Sequence, residues 1–279
     1  MTKGLLCLVR KMSTRLFEES DHANVYKKFR PLHPQSMAEF IVSFCKRQVS
    51  LDRHELLPLA VDVGCGSGQS SQMFAPYFQN VIGLDVSSAQ IKEANTANGN
   101  NNVEFLVGSA ESLPVENQTV SLLLCAQSFH WLDQEKFYKE VDRVLMPGGC
   151  LAVFAHHFNE FEQPSLNRIA REFAFETLKD YWDERRRTVD NGYRDIVLPY
   201  EDNERRDDFQ SITKTSLLDY LGYLSSLSSY RKFMKEHPDE PILKNIEQQF
   251  LNEMAASSSS EVTLTVIRRY FLLICSKPK

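Results

Sequence analysis

The chain has 279 residues, 42% hydrophobic and 25% charged, with a net charge of −5. That composition is ordinary for a globular protein and gives a nucleic-acid partner no bulk electrostatic help. Six scattered cysteines, none at C-x-x-C spacing, suggest neither a zinc site nor a disulfide framework and fit a reducing, cytoplasmic setting. No apolar run reaches the ~18 residues of a membrane span, so no membrane partner is expected.

Met1 to Met12 carries Lys3, Arg10 and Lys11 and no acid. Residues 1–20 read as a flexible extension, with a mitochondrial presequence as the alternative and Met12 as an alternative start. Asp21 caps a short helix to Phe29, which Pro31 stops. Pro34 opens a second helix, in which Met37, Phe40, Ile41, Phe44 and Cys45 recur at helical spacing. A strand over Ala60 to Val63 then runs into Gly64-Cys65-Gly66-Ser67-Gly68-Gln69. Glycine at alternate positions predicts a sharp turn with a backbone bare enough to touch a ligand.

Gln69 to Phe78 is helix-compatible, and Val81 to Val86 is a second strand. Ser87-Ser88-Ala89-Gln90 reads as a capping box. Val103 to Val107 and Thr119 to Cys125 are further strands, the last apolar enough for burial on both faces. Asp133 caps a helix with Phe137, Val141, Val144 and Leu145 on one side. Pro147-Gly148-Gly149 breaks it, and Cys150 to Ala155 is a fifth strand. Alternating strands and helices predict a parallel sheet covered on both faces.

His156 to Ser260 shows little strand character. One helix carries Leu166, Ile169, Ala170 and Phe173, another starts at Thr215 or Ser216, and a third runs from Pro241 to Ala256. The mixed-charge run Asp183 to Asp208 reads as a solvated face or mobile loop. Ser257 to Ser260 reads as a linker. Val262 to Cys275 returns to strand character and predicts an antiparallel hairpin or a continuous ribbon at the sheet edge.

The G-x-G-x-G spacing lacks the last glycine of the dinucleotide fingerprint, and no Walker lysine follows. Preceded by Val61-Asp62-Val63, it resembles the first motif of class I S-adenosylmethionine-dependent methyltransferases. The resemblance continues in order. Asp85, in Gly83-Leu84-Asp85-Val86-Ser87, fills the place of the acid that accepts from both ribose hydroxyls. Gly108-Ser109-Ala110-Glu111-Ser112-Leu113-Pro114 resembles the adenine-contacting segment, with Ser109 in place of the usual aspartate. Arg143 to Gly149 resembles the loop before the fifth strand. The resemblance implies an α/β fold: a Rossmann-like, seven-stranded, mostly parallel sheet with an antiparallel C-terminal strand. Residues 21–156 and 261–279 would form the core and residues 157–260 a helical lid. It also implies S-adenosylmethionine as cofactor, with S-adenosylhomocysteine as product. Asp62, Gly64, Cys65, Gly66, Gly68, Asp85, Val86, Ser109, Ala110, Glu111 and Gln127 would bind it.

Phe129-His130-Trp131-Leu132-Asp133, after the fourth strand, resembles the trans-aconitate methyltransferase branch, within the type 11 methyltransferases. So does Tyr26-Lys27-Lys28-Phe29-Arg30-Pro31-Leu32-His33-Pro34, with Phe29 and His33 replacing two tyrosines. Leu224 to Tyr230 resembles that branch's cap, with Leu227 where tryptophan is common. A small-molecule acceptor follows, a carboxylic acid first. The alternatives are N-, C- or hydroxyl methylation of another metabolite or a larger partner, or cofactor binding without turnover. Tyr26, Arg30, His130, Trp131 and Tyr230 are expected to bind the substrate. Arg30 would pair with a carboxylate, and His130 would act as base for a hydroxyl or amine or serve as a structural loop histidine. His156-His157 lacks a neighbouring carboxylate or cysteine, so no metal site is expected. A monomer or weak dimer is expected.

Overall fold

The computed structural model describes residues 33–52 and 54–279. The expectations for residues 1–20, the first helix, Tyr26, Phe29 and Arg30 lie outside the described residues. Helix α1 (Gln35–Val49) buries Met37, Ile41, Phe44 and Cys45 along one stripe. It ends where Ser50 turns left-handed and its N–H bonds the Lys46 carbonyl.

Five strands follow: β1 (Leu57–Val63), β2 (Phe78–Asp85), β3 (Val103–Val107), β4 (Val120–Ala126) and β5 (Leu145–His156). They are joined by α2 (Gln69–Phe74), α3 (Ser88–Ala97) and α4 (Gln134–Val144), and adjacent strands pair in parallel. Two-residue β6 (Glu160–Phe161) and long β7 (Asn203–Ser216) and β8 (Thr263–Ser276) complete one sheet. Its order is β3-β2-β1-β4-β5-β8, with β7 on the outer side of β8 and β6 beyond the end of β5. Strand β8 is antiparallel to β5 and β7. The order reverses between β1 and β4, which opens a crevice at the carboxyl ends of the strands.

Every residue from Val120 to Cys125 is buried. Leu122, Leu124, Phe154, Leu272 and Ile274 face α1, while Leu123, Cys125, Val153 and Phe271 face Phe137 and Val141 of α4. A third core lies beyond the sheet. Helix α5 (Pro164–Glu172) gives it Leu166 and Ile169, α7 (Leu217–Ser225) gives Tyr220 and Leu224, and α9 (Ile242–Glu253) gives Phe250. They pack on Leu264 and Val266 at the start of β8. Helices α6 (Arg186–Asp190) and α8 (Ser228–Glu236) complete the insertion. No helix among the described residues is long and apolar enough to cross a membrane.

Two details differ from the sequence reading. Residues 263–276 form one strand in the sheet's interior, not at its edge, because β7 covers them. Strand β7 itself lies in the stretch read as helical, and its first residues belong to the run read as a loop. Its alternation is hidden because Phe209 is its one buried residue. Its charges pair two positions apart, Arg205 with Asp207 at 2.6 Å on one face and Arg206 with Asp208 at 2.5 Å on the other. Such charges suit an outer strand, whose open edge would otherwise invite another chain.

An interior β8 and an outer β7 should answer truncation differently. Ile274→Ala removes a fully buried side chain and is expected to cost about 2–5 kcal/mol in urea unfolding. Ile212→Ala, at a position 58% exposed, should stay within about 0.5 kcal/mol. Equal losses would contradict this placement.

Candidate active site

The glycine turn sits at the tip of β1, at the reversal of strand order. Gly64, Gly66 and Gly68 have φ of +68, +54 and +84°, the left-handed region that glycine adopts without strain. The reasons for them differ. A Cβ at Gly64 would lie 2.5 Å from the Ser128 Cβ, and one at Gly68 would lie 2.4 Å from the Phe105 ring. At Gly66 a Cβ would meet nothing nearer than Gln90 Oε1 at 3.8 Å. Packing therefore requires glycine at two positions, while the third leaves a bare backbone facing open space.

Asp85, at the end of β2, clasps this turn. The Gly66 N–H donates to its Oδ2 at 2.9 Å and the Ser87 N–H to its Oδ1 at 2.8 Å. Burial raises the Asp85 pKa, and these N–H groups oppose the shift. Asp85 thus takes the amide that the reciprocal half of a capping box would give to Gln90. The other half forms, with Gln90 N–H donating to Ser87 Oγ at 3.3 Å. Gln90 Oε1 is left buried without a partner, as are Ser67 Oγ and Asp62 Oδ1. The other Asp62 oxygen accepts from the Ser71 hydroxyl at 2.7 Å, and burial raises the Asp62 pKa to about 7.

Cys65 is buried in the turn and Val86 is exposed just past Asp85. In the segment after β3, Ala110 is buried and the Ser109 hydroxyl donates to Glu111. Glu111 also accepts from the Asp133 N–H at 3.1 Å. A clamp from α4 holds the segment's end: Glu140 accepts the Leu113 N–H at 2.7 Å, and Arg143 donates to the Leu113 and Val115 carbonyls at 2.9 Å each. Gln127 has φ +58° and its Oε1 accepts the His156 N–H at 3.0 Å, which joins the tips of β4 and β5.

His130 and Trp131 follow in a short 3₁₀ turn, with ring centroids 4.7 Å apart. His130 is buried, with Nδ1 hydrogen-bonded to the Tyr193 hydroxyl at 2.8 Å. Burial, then the charges of Arg186 and Arg185, lower its pKa to about 3. The Arg185 guanidinium lies 4.5 Å from the Trp131 ring centre and is held by both oxygens of Asp183. Tyr230 packs with the third core.

The methyltransferase domain model matches residues 61–153, the span that contains the turn, Asp85 and the His130-Trp131 pair. A Dictyostelium discoideum protein named as a methyltransferase is 29% identical over 90% of this chain and 92% of its own length. A Saccharomyces cerevisiae protein named as an S-adenosylmethionine-dependent methyltransferase is 25% identical over 93% of this chain and 96% of its own. This chain is a class I S-adenosylmethionine-dependent methyltransferase. Its fold is shared with a solved structure from Anaeromyxobacter dehalogenans, named as a type II methyltransferase. The two superpose with a TM-score of 0.73 at 24% identity, over 90% of this chain and all of that one.

Several groups around the methyltransferase's site were not singled out from sequence. Ser128 donates to the Val63 carbonyl at 2.5 Å and fills the space beside Gly64. Ser71 and Tyr193 each bond a predicted residue, Asp62 and His130, and nothing local in the sequence marks them. The Glu140–Arg143 clamp was signalled only by its i,i+3 spacing.

Gly68→Ala is expected to destabilise the enzyme by about 1–3 kcal/mol or more, because overpacking adds to the left-handed φ. Gly66→Ala should cost about 1–2 kcal/mol from backbone conformation alone. Thermal unfolding checks the order, and equal losses would contradict it. Asp62 makes a second prediction. Its folded pKa of about 7 stands above its ordinary 3.8, so its stabilising contribution is full below about pH 4 and is lost as pH rises through 7. His33 and His130, with lowered pKa, act in the opposite sense between their folded values and 6.5. The decisive quantity is therefore the Tm of wild type minus that of Asp62→Asn, which should fall from about pH 4 to pH 8. A flat difference would contradict the assignment.

Proposed function

We propose that this methyltransferase moves a methyl group to a small-molecule carboxylic acid in the cytoplasm, as the trans-aconitate branch it resembles would. The observation that carries the reading is the state of His130. It is the one obvious base after β4, yet it is buried, its Nδ1 is bound to Tyr193, and burial with the charges of Arg186 and Arg185 lowers its pKa, so it takes up a proton poorly. A carboxylate is already ionised at neutral pH and needs no base. The insertion supplies the groups around this pair, Arg185 on Trp131 and Tyr193 on His130. The parts of residues 157–260 outside β7 then act as a lid that excludes water, which suits a small acceptor better than a macromolecule.

The residues present fit the cofactor. Asp62 Oδ1 and Gln90 Oε1 are buried acceptors without donors, and the bare Gly66 backbone leaves room beside them. In this reading Asp62, Cys65 and the three glycines hold its amino-acid end, and Asp85 accepts from the ribose hydroxyls. Val86, Ser109, Ala110, Glu111 and Gln127 line the rest. When bound, it supplies a methyl on a positive sulfur, which a carboxylate oxygen takes while the carbon–sulfur electron pair stays on sulfur and no proton moves. The chain's task is alignment. Trp131 and Tyr230 wall the acceptor side, and Tyr26 and Arg30 are assigned to it from the sequence. His130 shapes the pocket without exchanging a proton.

Calorimetry with S-adenosylhomocysteine, followed by transfer of a radiolabelled methyl to a pool of carboxylic acids, tests the reading. Asp85→Ala should weaken cofactor-product binding about 10-fold or more, since hydrogen bonds to charged groups contribute about 1.5–3 kcal/mol each. Binding without transfer to any small molecule would overturn it. The rate constant kcat should also show no limb between about pH 6 and pH 9 that depends on His130, because His130 exchanges no proton there. A rising limb abolished by His130→Asn would restore His130 as the base.

A further inference from the structure

A second cleft opens on the α4 side of the sheet, where β7 begins. Arg205 of β7 stands opposite Leu273 of β8 there. Across from them runs an irregular strap, residues 193–198, pinned at two points. The Tyr193 N–H donates to the Thr188 carbonyl at 2.9 Å, and the Tyr138 hydroxyl of α4 donates to the Val197 carbonyl at 2.8 Å. The cleft between strap and sheet measures about 360 Å³, at the small end of the roughly 300–1,000 Å³ of small-molecule pockets. Ile196, Val197 and Leu198 on the strap and Leu273 on the sheet give it apolar walls. Val197 is 81% exposed, so its side chain has no cover from the fold.

The charges around these walls do not cancel. Arg205 is held by both oxygens of Asp207 and is neutralised by them. Glu204 also lines the cleft, but its carboxylate reaches Arg206, whose guanidinium lies on Phe40 of the sheet's other face. Exposed Arg194 has no ion-pair or hydrogen-bond partner among the described residues. An apolar trough with one uncompensated guanidinium at its rim suits a chain that ends in an anion. At the back of the cleft stands Tyr193, buried and at φ +55°, a conformation that a non-glycine residue keeps only where its surroundings enforce it. Its hydroxyl bonds His130 Nδ1 at 2.8 Å. One side chain therefore touches both this cleft and the His130-Trp131 pair after β4. We propose that the cleft is a second binding site, for an aliphatic carboxylate, and that Tyr193 couples its occupancy to His130. The ligand's chain covers Val197 and Leu273, and its carboxylate meets Arg194. A ligand that favours one placement of Tyr193 shifts the acceptor side toward the geometry that goes with it. The acceptor then changes the affinity of the cleft by the same factor.

The test is methyl-resolved NMR on the full chain saturated with S-adenosylhomocysteine, titrated with hexanoate, octanoate and octan-1-ol. Octanoate should shift the methyl signals of Ile196, Val197, Leu198 and Leu273 in a saturable way. It should bind about 10-fold more tightly than hexanoate, because each buried methylene contributes about 4-fold. It should bind about 2- to 5-fold more tightly than the alcohol, as an exposed ion pair allows. Arg194→Gln should remove the preference over the alcohol, and Val197→Asp should weaken octanoate about 10-fold or more. Both positions are exposed, so neither change threatens the fold. The His130 ring signals should move at the same octanoate concentrations. Tyr193→Phe should remove that response while the Ile196 and Leu198 signals still shift. Octanoate that shifts only His130 and Trp131 sits in the acceptor pocket and overturns the proposal. So do variants at Arg194 and Val197 that bind like the wild type, or wild-type His130 signals that stay fixed as the cleft fills.

Discussion

The bond pair at Asp85 ties the site to the fold. One carboxylate takes the Gly66 N–H from the turn after β1 and the Ser87 N–H that opens α3. The preceding residue, Leu84, accepts from both Gly64 and Cys65 through its carbonyl, at 2.7 and 3.0 Å. The turn is therefore shaped by the end of β2 as much as by its own glycines. From the other side, Ser128 bonds the Val63 carbonyl and occupies the space beside Gly64. A backbone with three left-handed glycines would otherwise sample many conformations. Held between the ends of β2 and β4, it presents one.

The same logic extends outward to the acceptor side. Methyl transfer asks for alignment and dryness more than for acid–base chemistry. The charged stretch after β6 meets that need with fixed contacts. Asp183 braces Arg185, which lies on Trp131, and Tyr193 takes a strained left-handed conformation while it bonds His130. The neutral state of His130 follows from this enclosure. In the proposed reading, a residue type that suggests a base in the sequence shapes the pocket instead, since burial and the charges of two arginines lower its pKa.

The core was legible because its signals are local and periodic. The strand at Val103–Val107 was read to the residue, and the continuous apolar run of β4 announced its burial. Gly64 stood out through turn chemistry, while Asp85 and the Ser109–Glu111 segment stood out through the family resemblance and its order along the chain. Strand β7 was not legible, since its alternation is carried by ion pairs and by Phe209 alone. The interior position of β8 was hidden for the same reason, because the strand that covers it could not be seen. The partners Ser128 and Tyr193 depend on side chains meeting across the fold, which no local pattern records.

The central claim is that Asp85 and the glycine turn form one clasp that holds the methyl donor. A crystal structure with S-adenosylhomocysteine bound tests it most directly. The account predicts both ribose hydroxyls on the Asp85 carboxylate, with the Gly66 and Ser87 amides still donating to it and Asp62 Oδ1 acquiring a donor from the product. A product bound elsewhere, or ribose hydroxyls satisfied by other groups while Asp85 keeps only its backbone partners, would contradict it.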